Sequence, residues 1–420
     1  MRPAIRHLAP LLALTLALQG CHDAGSSDQN AAAQTPPSAA SVAHGRYLAA
    51  AADCASCHSV AGQGEYAGGY AVATPYGPIY GPNITPDRKT GIGNYTRDDL
   101  YRVLHDGRLP DGRPLYPAMP YTSYRQLSRA DSDAIYDYLM TRPPIQRANT
   151  PPGQRFPYNL RFAMYAWQAL FMPDAKDAAP PAGADAQWTR GAYLANALGH
   201  CTECHTPRTF TGALDGAATF KGAMIGRYQA PDITPAALAA RGWTTAGLQQ
   251  LLASGIAPQG SAFGDMFPAV HNSTRYLSRQ DIASLVRYLG GPAGLPAPAP
   301  VTAAALPADV VHRGLSSYAN LCAGCHGAQG EGKPHVAPAL QGNSSLRLAS
   351  PNNLLVAIVD GVEEQGFSQL EHMQAMPGVP GFVTDQEVAD LVNTLRTQWG
   401  GQASQVTAAD VAGLRNSHAP

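Results

Sequence analysis

The pentapeptide Cys-x-x-Cys-His occurs three times in this chain, as Cys54-Ala-Ser-Cys57-His58, Cys201-Thr-Glu-Cys204-His205 and Cys322-Ala-Gly-Cys325-His326. The pattern reads as covalent haem attachment. Two intervening residues set both sulfurs on one short turn, where each can form a thioether with one haem vinyl group. The histidine that follows then lies over the iron and supplies its proximal nitrogen. A single Cys-x-x-Cys also serves zinc sites and thiol redox centres. Three copies, each followed by His, make that reading a poor one.

Three porphyrins constrain the fold more than composition does. The 420 residues suffice for two or three domains, and the motifs argue for three. A domain near 100 residues has little apolar core of its own. Haem supplies the missing bulk, and the 42 Gly and 36 Pro fit loops that wrap it. Formal net charge is −1, so no strong field points to nucleic acid or to a polybasic membrane patch.

The copies share an order of parts. A short helical pattern precedes each motif: Gly45-Arg46-Tyr47-Leu48, Gly191-Ala192-Tyr193-Leu194, and Gly314-Leu315 leading to Tyr318. A proline loop follows: Gly81-Pro82-Asn83-Ile84-Thr85-Pro86, Ala230-Pro231-Asp232-Ile233-Thr234-Pro235, and Ala337-Pro338-Ala339-Leu340. The carbonyls of Pro82, Pro231 and Pro338 are expected to accept the Nδ1–H of the haem His, orienting the ring. The alternative is that these prolines only shape a turn. Each copy closes with a helix opened by Ser128/Asp131, Ser278/Asp281 or Thr384/Glu387, a capping-box arrangement. These helices are expected to pack across the one that carries the motif.

The iron needs a ligand on its far face. Met119, Met266 and Met376 each lie in a loop just before the closing helix. Met119 follows His58 by 61 residues, and Met266 follows His205 by 61. Met is more often a core filler than a ligand, but that agreement points to a shared constraint. Met373 competes with Met376, and His271 would replace Met266. His/Met ligation occupies both iron faces and raises the potential, which suits electron transfer rather than chemistry on a small molecule.

The seventh cysteine, Cys21, ends a short basic and apolar leader with Leu18-Gln19-Gly20 before it. Residues 1–20 read as a signal peptide and Cys21 as a lipidated first residue. An ordinary signal peptide cut slightly later is the alternative. The expected plan is mainly α, with three tandem c-type cytochrome domains joined by Pro/Ala-rich linkers. Residues 21–42 form a flexible tether and 43–142 the first domain. Residues 143–187 are a linker with an aromatic segment, 188–290 the second domain and 291–308 a linker. Residues 309–400 make the third domain and 401–420 a tail with a short helix, Ala408 to Arg415. The aromatic stretch from Arg155 to Phe171 reads as a strut between domains, with a partner or quinone surface as the rival.

The three motifs, the repeated Ile-Thr-Pro loops, Tyr116-Pro117-Ala118-Met119-Pro120-Tyr121 and Ser261-Ala262-Phe263-Gly264-Asp265-Met266 together resemble one group. They are similar to the triple-haem cytochrome c subunits of bacterial membrane-bound alcohol, gluconate and related dehydrogenases, over about residues 44 to 400. The resemblance implies three haem c groups on Cys54, Cys57, Cys201, Cys204, Cys322 and Cys325. It implies axial pairs His58/Met119, His205/Met266 and His326/Met376. It also implies a periplasmic, non-catalytic subunit that takes electrons from a flavin, quinoprotein or molybdenum dehydrogenase and delivers them to ubiquinone or another respiratory acceptor. Several family members hold the membrane through C-terminal segments, whereas this tail is short and polar; Cys21 would take over that role. A stand-alone carrier to a terminal oxidase and a multihaem peroxidase are the rival readings.

Overall fold

The computed structural model describes residues 36–175, 181–298, 305–368 and 371–417. The leader and Cys21 lie outside these residues. From Ser38 onward the chain forms one compact unit. It is mainly helical, and the strands among the described residues are five two-stranded antiparallel ribbons.

The helices that frame the motifs and their connections include α1 (Ala39–Ala51), α2 (Arg129–Leu139), α3 (Ala163–Phe171), α4 (Ala186–Tyr193), α5 (Arg279–Leu289), α6 (Ala308–Leu321), α7 (Asp385–Gly400) and α8 (Ala408–Asn416). Three pairs carry the fold: α1 on α2, α4 on α5, and α6 on α7. In each pair the first helix leads into a haem motif and the second is the expected capped closing helix. The crossings are close because each first helix offers a glycine at the contact. A Cβ added at Gly45 would lie 1.8 Å from the Ala134 carbonyl oxygen. At Gly191 it would lie 1.9 Å from Ser284 O, and at Gly314 2.1 Å from Thr394 Oγ1.

Ser128, Ser278 and Thr384 all accept a backbone N–H three residues on, as an N-cap should. Only Thr384 completes the reciprocal box, through Glu387. Asp131 and Asp281 have other partners. Asp131 accepts Tyr193 OH at 2.6 Å and lies 3.0 Å from His44. Asp281 accepts Tyr47 OH at 2.6 Å and pairs with Arg190 at 2.7 Å. The two tyrosines thus reach in opposite directions between the first two helix pairs, each onto the other's closing helix. Their hydroxyls also accept the backbone N–H of Ser278 and Ser128. One apolar core runs through both pairs, from Leu48 and Ile135 to Leu194, Leu198, Ile282 and Val286.

This exchange yields a prediction. Tyr47→Phe removes a hydrogen bond to a charged group and should cost about 1.5–3 kcal/mol in urea unfolding at pH 7. Burial pushes the Asp281 carboxyl upward, but the bonds from Arg190 and Tyr47 outweigh it and hold it below the usual carboxylate range. A carboxylate lowered in this way stabilises the fold fully above its ordinary pKa of about 4. That contribution is lost as pH falls through the lowered value. The Tyr47→Phe penalty should therefore shrink on acidification, and a penalty unchanged by strong acid would refute the assignment.

The third pair has its own core around Tyr318, Leu391, Val392 and Leu395. It joins the second through an Arg227–Asp360 ion pair at 2.8 Å and through Asn353, whose side chain bonds both the N–H and the carbonyl of Gln229. Three segments that lie outside the expected domains are built into the unit. Residues 39–42 of the tether already belong to α1. From the aromatic linker, Ile145, Arg147 and Asn149 bond to the Asn83–Thr90 loop, and Gly153 and Arg155 to Pro78 and Tyr76. In the tail, α8 starts at a complete Thr407/Asp410 capping box and buries Val411 in the third core.

Candidate haem sites

Each Cys-x-x-Cys-His forms one short helical turn at the end of its leading helix: Cys54–His58, Thr202–His205 and Ala323–His326. Among the described residues no disulfide joins the six motif cysteines. Burial, helped by the neighbouring thiol, pushes Cys201 up to about 12 and Cys322 up to about 11. Burial and the adjacent Asp53 carboxyl do the same for Cys54, at about 12. Zinc ligation and thiol redox chemistry both need the thiolate, which this burial opposes. Among the described residues no group of three His, Cys, Asp or Glu could hold a metal ion. A thioether carries no charge, so its burial in this apolar setting has no such cost.

The histidines match the same chemistry. Burial lowers the pKa of His58, His205 and His326, which favours the neutral ring that ligation requires. Each Nδ1 lies on the expected carbonyl: His58 on Pro82 O at 2.7 Å, His205 on Pro231 O at 2.7 Å and His326 on Pro338 O at 2.9 Å. With Nδ1–H donating there, the Nε2 lone pair is left available to a metal. Side chains clasp the proline loop in turn. Asn83 Oδ1 accepts from the N–H and hydroxyl of Thr85, and Asp232 Oδ1 from those of Thr234.

A further element of the cradle escaped sequence reasoning. The backbone N–H of Gly68 donates to His58 O, that of Gly222 to His205 O and that of Gly332 to His326 O, at 2.7–2.8 Å. All three glycines have φ between 75° and 85°, and an added Cβ would press within about 3 Å of the proline-loop backbone. Each motif histidine is thus held at its carbonyl by a glycine and at its ring by a proline. The glycines stand at unequal distances from their histidines, so no spacing betrays them.

The methionines lie where the two cores receive the motifs. Met119 and Met266 pack against the core that also takes Cys54 and Cys201. Met376 packs with Cys322 and Leu340 against the third core, whereas Met373, buried on the adjoining strand, is outside that cluster. His271 is paired with Arg275 at 3.3 Å.

The first two motifs face each other. Burial, then Asp53, then the nearby Cys204 thiol push Cys57 up, and Asn272 of the second module donates to Ser56 Oγ inside the first motif at 2.8 Å. Glu203, between Cys201 and Cys204, accepts Thr122 Oγ1 at 2.8 Å and Ser123 Oγ at 3.0 Å. Those hydroxyls follow Met119 closely in the chain, so the second attachment turn pins the first methionine loop. The rings of Phe267 and Phe367 meet at 5.4 Å between the second and third modules, one residue from Met266.

Comparison with known proteins agrees with this geometry. The family model for cytochrome c matches residues 42–143 and 311–399. These ranges enclose the first and third motifs, and the second lies between them with the same contacts. The chain is 37% identical over 393 residues to the gluconate 2-dehydrogenase cytochrome c subunit of Pantoea cypripedii, covering 89% of each chain. It is 35% identical over 411 residues to the cytochrome c subunit of alcohol dehydrogenase (quinone) from Gluconacetobacter polyoxogenes, covering 93% of this chain and 87% of that one. It is also 37% identical over 404 residues to a subunit of the nicotinate dehydrogenase of Pseudomonas putida, of which it spans 33%.

Proposed function

The chain belongs to the cytochrome c family, among the cytochrome c subunits of bacterial dehydrogenases, and we propose that it is a three-haem electron relay between a periplasmic dehydrogenase and a respiratory acceptor. The observation that carries this reading is the threefold repeat of one cradle, with the ring of each motif histidine on a proline carbonyl. Haem iron supplies a one-electron couple when bound. Cys54 and Cys57, Cys201 and Cys204, and Cys322 and Cys325 tether it. His58, His205 and His326, with Met119, Met266 and Met376, would ligate its iron and leave no position for a small molecule.

The domain plan follows: three cytochrome modules, residues 43–142, 188–290 and 309–400. The second is in contact with both others, so the relay runs through it. Lipidation at Cys21 holds the chain at the periplasmic side of a membrane. Ubiquinone is the proposed acceptor, and the name of the alcohol dehydrogenase (quinone) relative supports a quinone in that place.

Intact mass of the exported protein should exceed that of the polypeptide by three haems, and Cys201→Ser with Cys204→Ser should lower the increment to two. The chain should copurify with a dehydrogenase subunit, and adding that enzyme's substrate should bleach the oxidised spectrum. A mature protein without the added mass, or one that takes no electrons from any dehydrogenase partner, ends the proposal.

A further inference from the structure

We infer that the first two modules position each other's axial methionines: the attachment turn of each one holds the methionine loop of the other. The residue just before the second cysteine of each motif makes the contact. In the second motif it is Glu203, 9% exposed, whose Oε1 accepts Thr122 Oγ1 and Ser123 Oγ. Both hydroxyls stand on the turn Tyr121–Tyr124, which Pro120 joins directly to Met119. That turn also packs on Leu194–Leu198, the helical segment that leads into the second motif. In the first motif the same place is taken by Ser56, whose hydroxyl accepts Asn272 Nδ2. Asn272 closes the short helix Met266–Asn272, which starts at the second methionine and packs on the turn Cys54–His58. Buried Ser273 adds a bond to the Ala51 carbonyl at 3.2 Å.

Each contact ends on a carboxylate. Ser56 Oγ donates in turn to Asp53 Oδ1 at 2.6 Å, and Glu203 is paired with Arg208 at 2.5 Å. Hydrogen bonds to ionised groups are stronger than neutral ones, and thioethers on the two flanking cysteines would fix the turns that carry them. The third module supplies the contrast. Its residue in that place is Gly324, where an added Cβ would meet nothing within 4 Å, so it has no side chain to lend to a neighbour. Ligation of the first two irons thus forms one cooperative unit, and the third stands apart. The inference rests on the reading of Met119 and Met266 as ligands, and adds that each depends on the other module's turn.

The test is carbon monoxide binding by the reduced, haem-loaded, full-length protein, read together with the sulfur–iron charge-transfer band. Glu203→Ala should raise the carbon monoxide-accessible fraction of the first haem at least about tenfold, the factor that one lost bond to a charged group corresponds to. The second haem, whose own motif carries the substitution, should stay closed. Met119→Ala/Glu203→Ala should then bind no more carbon monoxide than Met119→Ala, because both changes open the same iron. Glu203→Gln, which keeps an acceptor, should fall between the parent and Glu203→Ala. Asn272→Ala should open the second haem about threefold, and Gly324→Ala should leave all three closed. Opening of the second haem by Glu203→Ala, or of neither haem, overturns the inference. Should Glu203→Ala fail to mature, Thr122→Val/Ser123→Ala severs the same bonds from the loop side and must open the first haem alone; a closed first haem there has the same force. Met119→Ala by itself tests the ligand reading, so a failure of that reading is distinguishable from a failure of the crossed contacts.

Discussion

Replacing Gly45 by alanine should cost at least about 3 kcal/mol, the upper end of what overpacking usually costs. The new methyl group would stand 1.8 Å from the carbonyl oxygen of Ala134 and 2.9 Å from Tyr138 Cβ. The carbonyl is backbone and cannot turn aside, so α1 and α2 must separate. Separation exposes Leu48, Ala49 and Ile135, all fully or nearly fully buried, and tilts the helix that delivers Cys54. The variant should show a lower urea midpoint in far-ultraviolet circular dichroism and a smaller haem content. Gly191→Ala should do the same to the second module. A midpoint and haem content equal to the parent's would mean that the helices do not cross this closely.

Met119→Ala should have the second large effect, on the iron rather than on the fold. Axial ligation sets haem potentials over a range of roughly 0.8 V, and thioether sulfur favours the reduced state. Removing it should lower the first haem's potential by more than about 0.1 V. The reduced variant should bind carbon monoxide at one haem in three, where the parent binds none. The pinning of this loop by Glu203 through Thr122 and Ser123 keeps the backbone in place, so the loss is confined to the ligand. Met376→Ala and Met373→Ala form the parallel comparison in the third module; only the first should open that iron. An unchanged spectrum and potential in Met119→Ala would remove sulfur from the assignment.

What the sequence disclosed is what local chemistry encodes. The attachment turns, the capped helices and the proline carbonyls were legible because each depends on residues close together or on a repeated short string. Even α8 was legible, as a short helix from Ala408 to Arg415, and the structure extends it to Asn416. Its burial of Val411 was not, because a weakly amphipathic helix gives no sign of the core it joins. The histidine-carbonyl glycines were hidden by loops of different length. The Tyr193–Asp131 and Tyr47–Asp281 bonds join residues 62 and 234 positions apart, and each aspartate looked like an ordinary capping acid. The 143–155 segment resembles a linker in composition because a chain that lies along a surface needs no periodic apolar stripe.

The reciprocal tyrosines have a bearing on ancestry. An interface in which residue i of one half meets residue j of the other, and j meets i, is the signature of a closed pair of identical subunits. Modules one and two have the anatomy of a fused homodimer. Fusion keeps the halves at high effective concentration and frees each to drift, and His44 now stands where its twin has Arg190. The third module meets the second through an unrelated, one-sided contact, Arg227 with Asp360 and Asn353 with Gln229.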